Sequence, residues 1–311
     1  DICACLVGSE MCIRDRITGV RTEGRAVTAL ECVDDEGCFL VEAKAFVDTT
    51  GDANVVHLAG APTLWGDENG NVQAATLPFR LSGVDTSCDL TPQAVEKAVI
   101  RAKEEGIPHL TKEKGFILKR EGSDQVAVLL PSTIPAGLDC QEMTRMELDT
   151  RRQVLYYVEA FKKYLHGMEN CELTVIGPAI GFRETRRMKG KEIITAQDVL
   201  GRRKRPDGVA RAGWKPEIHM DANKMGTYIE VSEGSWFDVP LGALQCESLD
   251  NLYGAGRMVS SEQTAHAAVR VMGTCFATGH AAGVAAACQA LRGQAEADTV
   301  REELRKQGAL L

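Results

Sequence analysis

Five consecutive residues, Arg183-Glu184-Thr185-Arg186-Arg187, place three guanidiniums and a carboxylate on one short stretch of chain. A guanidinium stays charged and offers paired donors, so such a cluster can clamp a carboxylate or hold the negative charge of an enolate. The three cannot all face one point in a strand or a helix. Arg183 and Arg187 are therefore the candidate anchors, with Glu184 as the ion-pair partner that orients one of them; the competing reading is a solvated or structural ion-pair cluster. His219, in the Pro-Glu-Ile-His-Met block at 216–220, and His266 are candidate proton carriers, because imidazole titrates near working pH. Each also reads as an ordinary packed or surface histidine. His57 and His280 fall in helical stretches and read as structural.

Two glycine turns have the pattern of an anion cradle. In the first, the apolar run Phe46-Val47 meets Asp48-Thr49-Thr50-Gly51-Asp52 and continues into a helical stretch at 53–59. Strand, glycine turn and helix in that order present backbone N–H groups to a phosphate or a ring carbonyl. In the second, Leu252-Tyr253 meets Gly254-Ala255-Gly256-Arg257, and Val269-Arg270-Val271-Met272-Gly273-Thr274 opens a helix over 275–291. That helix is crowded with alanine and carries Gly279 and Gly283, which suits close approach to a neighbouring element.

The elements that must hold these residues follow from periodicity and turn chemistry. Residues 17–47 read as a three-stranded meander, turning at Gly24-Arg25 and at 34–37. The segment 63–71 reads as loop, and 73–84 as a strand interrupted at Pro78. A helix over 91–105 has Pro92 in its first turn and Gly106-Ile107-Pro108 as its stop. Strands are expected near 115–118, 125–130, 173–180, 228–231 and 236–241. A long amphipathic helix is expected over about 141–165, helices over 191–200 and 298–307, and a cap at Thr195 for the turn that starts at Ala196.

Composition bounds the partners. The chain has 311 residues, 44% hydrophobic and 26% charged, which is ordinary globular composition. A net charge of −8 favours neither nucleic acid nor an anionic membrane surface. The basic run at 202–205 lacks interleaved aromatics and reads as a solvated loop. No segment approaches the ~18 consecutive apolar residues of a membrane-crossing helix. The 11 cysteines include no CxxC and no zinc-type spacing, so no metal is expected; scattered thiols suit a reducing, cytoplasmic setting. The first sixteen residues are set aside. The chain starts Asp1-Ile2-Cys3-Ala4 without an initiator Met, and 5–16, CLVGSEMCIRDR, resembles the in-frame translation of a sequencing-library adapter. A truncated natural start is the expectation, and a leader peptide upstream stays open.

The blocks FVDTTGDANVVHLAGAP (46–62), IGFRETRRMKG (180–190), PEIHM (216–220) and 251–287 together resemble the carboxy-terminal two-thirds of the FAD-dependent oxidoreductases, in the glutathione-reductase-like FAD/NAD(P)-binding superfamily. The likeness runs from Ile17 to the end. It implies an α/β fold, the later portion of a two-domain Rossmann-like flavoprotein: FAD-domain parts at 17–62 and 240–311, an inserted mixed α+β substrate domain at 63–239, and the active site where the two meet. The family's opening βαβ unit carries a Gly-x-Gly-x-x-Gly turn for the pyrophosphate, and no such turn occurs here. This chain is accordingly expected to lack that unit and to hold FAD poorly.

On the resemblance, Thr50, Gly51 and Asp52 lie beside the pyrophosphate, and Gly256 and Arg257 near the ribityl phosphate. Arg270, Val271, Met272, Gly273 and Thr274 bring a helix N-terminus to the pyrimidine edge of the flavin, where its dipole stabilises the charge of the reduced ring. The implied chemistry is hydride transfer between FAD and a small organic, carboxylate-bearing substrate, with Arg183, Arg187, His219 and His266 as the catalytic candidates. No nucleic-acid or membrane partner is implied, and the oligomeric state is left open. Two rival readings share the fold: a lyase or hydratase that keeps its flavin for structure or polarisation, and a cofactor-free binding fragment.

Overall fold

The computed structural model describes residues 15–85 and 87–311. Residues 1–14 of the segment set aside, with Cys3, Cys5 and Cys12, lie outside the described residues, and Arg16 already opens the first strand. Strands β1 (Arg16–Glu23), β2 (Ala26–Val33) and β3 (Cys38–Glu42) form the expected antiparallel meander, turning at Gly24 with φ +58°. Alternation sets its buried face: Val27 and Ala29 point inward while Thr28 faces water. Strand β4 (Phe46–Asp48) leaves the meander, a correction to the reading of 17–47 as one sheet. It runs on through α1 (Asn54–Leu58) to β5 (Thr63–Trp65), a strand where a loop was expected.

The next stretch carries β6 (Ala75–Thr76) and β7 (Phe79–Ser82), split at Pro78 as expected, then α2 (Pro92–Glu104), β8 (Ile117–Lys119), β9 (Val126–Val128), β10 (Ser132–Thr133), α3 (Cys140–Tyr164) and β11 (Glu172–Ile176). The order β11-β7-β9-β8 makes a four-stranded antiparallel sheet, and β6 pairs with β10. Helix α2 starts where the Thr91 hydroxyl accepts from Ala94 N–H, and it buries Val95, Ala98, Val99 and Ala102. Helix α3 starts where Asp139 accepts from Gln141 and Glu142 N–H, and it buries Val154, Tyr157 and Phe161.

Then come β12 (Arg186–Met188), α4 (Ala196–Leu200), β13 (Gly208–Ala212), β14 (Glu217–Ile218), β15 (Thr227–Tyr228), β16 (Phe237–Pro240), β17 (Leu252–Gly254), α5 (Gln263–Val269), α6 (Met272–Arg292) and α7 (Ala297–Lys306). Thr195 caps α4 in a reciprocal capping box with Asp198, so the helix starts there and not at 191. Strand β17 pairs in parallel with β4, Leu252 opposite Phe46 and Gly254 opposite Asp48.

The chain divides into two compact units. The first holds residues 15–65, Arg186–Pro216 and Glu230–Leu311; the second holds Gly66–Thr185 and Glu217–Ile229. The division differs from the 63–239 block read in the sequence because β12 pairs with β5, while β13 and β16 pair with each other and bury Val209, Ala210, Phe237 and Val239 in the core that α6 completes. Alanines do the close packing on α6: Ala281, Ala282 and Ala285 are buried. The glycines do not, since a Cβ on Gly279 or Gly283 would meet nothing within 4 Å. Half of the eight cysteines among the described residues are buried, and all eight are free thiols. No single helix among the described residues is long and apolar enough to cross a membrane.

One side chain stitches the first unit's sheets together. Asn251, nearly buried, accepts from Val27 N–H at 2.8 Å and donates to the carbonyls of Val27 at 2.8 Å and Lys44 at 3.1 Å, while its own carbonyl accepts from Phe46 N–H. Replacing it by Ala orphans one donor and two acceptors of the backbone. Asn251→Ala is expected to lower stability by about 2–4 kcal/mol in urea unfolding, against less than about 1 kcal/mol for an exposed control such as Asn223→Ala.

Candidate functional site

The first glycine turn is built around a buried carboxylate. Asp48 Oδ1 accepts from Thr50 N–H at 2.9 Å and from the Thr50 hydroxyl at 2.7 Å, and Oδ2 accepts from Val56 N–H at 3.1 Å in the first turn of α1. The Thr50 oxygen in turn accepts from Asn54 N–H. Between these anchors the backbone turns through left-handed Gly51 (φ +80°) and Ala53 (φ +51°). Glycine suits position 51 because of its φ of +80°, and a Cβ there would lie 2.4 Å from the guanidinium of Arg257 and displace it from Asp52. Asp52 Oδ1 accepts from Arg257 Nη2 at 2.7 Å, and the Asp52 carbonyl accepts from Arg186 Nε at 3.0 Å.

The second turn lies alongside in the same unit. Gly256 has φ +79° and its N–H donates to the Thr278 hydroxyl of α6. Helix α6 starts at Val271 with no side-chain cap, so the N–H groups of its first turn are left to solvent or a ligand; Gly273 has nothing within 4 Å of its Cβ position. Gly51, Gly256, Arg257 and Arg270 come together with Thr49 and Cys275 around a pocket of about 370 Å³. Arg257 Nε is buried with no hydrogen-bond partner among the described residues. Two guanidiniums, two left-handed glycines and an uncapped helix N-terminus fit an anionic group such as a phosphate of FAD.

Of the expected cofactor residues, Thr50 turns away, its hydroxyl spent on Asp48 and Asn54; Asp52 serves as partner of Arg257; Val271, Met272 and Gly273 form the helix start; and Thr274 is buried. Thr49, Cys275, Phe276 and Gly279 also line the pocket and went unrecognised in the sequence, where nothing separates them from their neighbours.

His266 does not reach this pocket. It is fully buried, and its Nε2–H donates to the Arg257 carbonyl at 2.7 Å, which fixes the 256–258 turn. Burial first, then the nearby guanidiniums of Arg187 and Arg270, hold its pKa well below the usual histidine range, so the ring is neutral. Arg187 is itself buried on β12. The boundary between the units passes between Thr185 and Arg186, so Arg187 belongs to the first unit and Arg183 to the second.

The second unit has its own polar pocket, of about 100 Å³, with Lys112, Arg183, Glu217 and His219 against Phe116 and Leu129. Arg183 Nη1 donates to the Ala74 carbonyl at 2.7 Å and to the Thr76 hydroxyl at 2.6 Å. Glu184 is buried, and its Oε2 accepts from Gln73 N–H at 3.0 Å. His219 follows β14, and its Nε2–H donates to Glu217 Oε1 at 2.9 Å. Its ring lies flat under the hairpin: a Cβ on Gly226 would be 2.5 Å from it, so position 226 admits only glycine unless the ring moves. Lys112 was missed because a lysine in a loop reads as solvated.

The buried neutral His266 makes stability depend on pH. Its folded pKa lies below the unfolded value of 6.5, so the unfolded chain takes up the proton first and stability falls as pH drops below 6.5. The expected loss is up to about 1.4 kcal/mol per pH unit. In urea unfolding between about pH 7.5 and pH 5, His266→Gln, which keeps a donor for the Arg257 carbonyl, is expected to show a smaller slope than the parent. Equal slopes would rule the assignment out.

No curated protein sequence matches the chain. Among solved structures it is similar to a geranylgeranyl bacteriochlorophyll reductase-like protein from Thermoplasma acidophilum, at 11% identity and TM-score 0.42, covering 95% of this chain and 54% of that one. It is also similar to BexE of BE-7585A biosynthesis, at 14% identity and TM-score 0.40, covering 94% and 43%. A third is CabE, an aromatic hydroxylase from angucycline biosynthesis, at 12% identity and TM-score 0.30, covering 57% and 30%. The chain thus spans about half the length, or less, of these structures. The sequence profile of one family matches residues 7–307, beginning inside the segment set aside at the start, and by that match the chain belongs to the FAD dependent oxidoreductase family, whose cofactor is FAD.

Proposed function

We propose that the first unit's cradle binds FAD through an anionic part of the cofactor, and that the protein transfers hydride between the flavin and a small organic substrate bearing a carboxylate. The observation that carries this reading is the meeting of Arg257, Arg270, Gly51 and Gly256 around one pocket, with the N-terminus of α6 left uncapped. Bound FAD supplies the two-electron acceptor or donor. The chain's own residues bind and orient. Arg257, braced by Asp52, meets negative charge, and the α6 dipole adds to that field. In the second unit, Arg183 is the anchor for the substrate carboxylate, held by its bonds to Ala74 and Thr76. His219, held through its Nε2–H by Glu217, is the proton carrier.

Titration of FAD with the purified chain, read by quenching of flavin fluorescence, tests the first half. Weak but saturable binding is expected, in keeping with the absence of a Gly-x-Gly-x-x-Gly turn, and it falls about tenfold or more in Arg257→Gln, since a charge-assisted contact contributes about 1.5–3 kcal/mol. Binding that is absent, or that ignores the substitution, would overturn it. Anaerobic bleaching of the bound flavin by small carboxylic acids tests the second half. A panel with no bleaching at all, over a chain that binds FAD, would favour the lyase or hydratase reading.

A further inference from the structure

We propose that Lys112 is a second anion-binding residue of the second unit's pocket, its ammonium meeting the carboxylate of an organic acid with an apolar body. The inference deepens the reading of that pocket as the place of the substrate carboxylate and rests on it; it does not depend on the flavin.

Lys112 is 3% exposed and lines the pocket. Among the described residues its ammonium makes no hydrogen bond and no ion pair; the charges that act on it are those of Arg183 and Glu217. The neighbouring lysines show the structural alternative. Lys103 donates to Glu113 Oε1 at 2.9 Å, and Lys114 pairs with Glu96 at 3.2 Å. An ammonium taken out of water without an acceptor is unfavourable, and an entering carboxylate offsets that cost.

The backbone that carries Lys112 is held in place from α3. The Tyr157 hydroxyl donates to the Lys112 carbonyl at 2.7 Å, and the Thr111 hydroxyl donates to Gln153 Oε1 at 2.8 Å. Just upstream, His109 sits at φ +58°, a conformation uncommon for a residue with a side chain, and its ring stacks on Tyr156. The lysine side chain therefore leaves a fixed stretch of backbone and enters the pocket lining. Facing it are Arg183, Lys114, Glu217, His219 and Tyr228. Lys114 is neutralised by Glu96 and His219 is bound to Glu217, so Lys112 and Arg183 outweigh the one remaining carboxylate and the pocket is short of an anion. Phe116 and Leu129 give it an apolar wall, which suits an alkyl or aryl body behind the carboxylate.

Burial first, then Arg183, brings the Lys112 amine down to about 8, with Glu217 opposing. Only the protonated amine attracts an anion. Binding is thus insensitive to pH below about 8 and weakens by up to about tenfold per pH unit above it, with uptake of a proton from the buffer.

The test is calorimetric titration of the whole chain with benzoate from about pH 6.5 to about pH 9.5, with benzamide as the uncharged probe. Expected are benzoate binding with that pH profile, benzamide binding at least about tenfold weaker, and a flat profile to the top of the range in Lys112→Arg. Lys112→Met is expected to weaken benzoate about tenfold or more and to remove the pH dependence; should it fail to fold, the parent series and Lys112→Arg carry the test. No benzoate binding at any pH, or binding with a flat profile in the parent, overturns the proposal. Flavin binding is read separately, so a chain that binds FAD and ignores benzoate loses only this inference, and one that binds benzoate without FAD keeps it.

Discussion

The first unit's candidate site depends on one buried carboxylate. Asp48 ends β4, and its side chain satisfies two backbone N–H groups and a hydroxyl in the turn that follows. Its own carbonyl accepts from Ala255 N–H, inside the second glycine turn. One residue therefore fixes the 49–53 turn through its side chain and joins it to the 254–256 turn through its backbone. A carboxylate taken wholly out of water survives only when its oxygens are met by donors of this kind. Because the donors lie in the turn and at the start of α1, burying the charge and shaping the cradle are the same event. Gly51 then sits at a left-handed φ with no Cβ in the way of Arg257, and the guanidinium closes against Asp52.

Positive charge gathers behind that cradle. Burial keeps the His266 ring neutral, and the guanidiniums of Arg187, Arg270 and Arg257 act on it in the same direction. Three like charges around one buried imidazole repel one another, and Asp52 pairs with Arg257 among them. The arrangement becomes favourable when a polyanion enters, and the uncapped start of α6 points to the same need. His266 thus has a structural task, holding the Arg257 carbonyl and with it the Gly256 turn, rather than the task of carrying protons that its side-chain chemistry suggests.

Local chemistry was legible in the sequence and long-range pairing was not. The meander, the break at Pro78, the caps at Thr91 and Thr195 and the extent of α3 rest on turn residues, caps and periodicities contained within a few residues. Strand β4 reads as a continuation of the meander because its three residues carry no period; its parallel partner β17 lies at the other end of the chain. The same holds for β5, which is three residues long and gains its identity only by pairing with β12. Arg183 and Arg187 look like one cluster in the sequence, yet β12 begins between them and takes Arg187 into the first unit. Gly279 and Gly283 suggest close packing by composition alone, whereas their Cβ positions face open space and the packing falls to alanine.

Lys112 shows why a site can be invisible to motif reading and plain in three dimensions. Its burial is imposed by α3, whose inner face carries Thr150, Gln153 and Tyr157 among its apolar residues. Gln153 bonds both ways with the backbone of Ser132 and accepts from Thr111, and Tyr157 reaches the next carbonyl. These polar groups hold the backbone of the loop between α2 and β8 at Thr111 and Lys112. None of that is encoded near residue 112; it is encoded in the spacing of polar residues along a helix that follows later in the chain. Both pockets then obey the same rule. A donor left over by the protein's own bonds, Arg257 Nε in one unit and the Lys112 ammonium in the other, marks the place where a ligand completes the electrostatics.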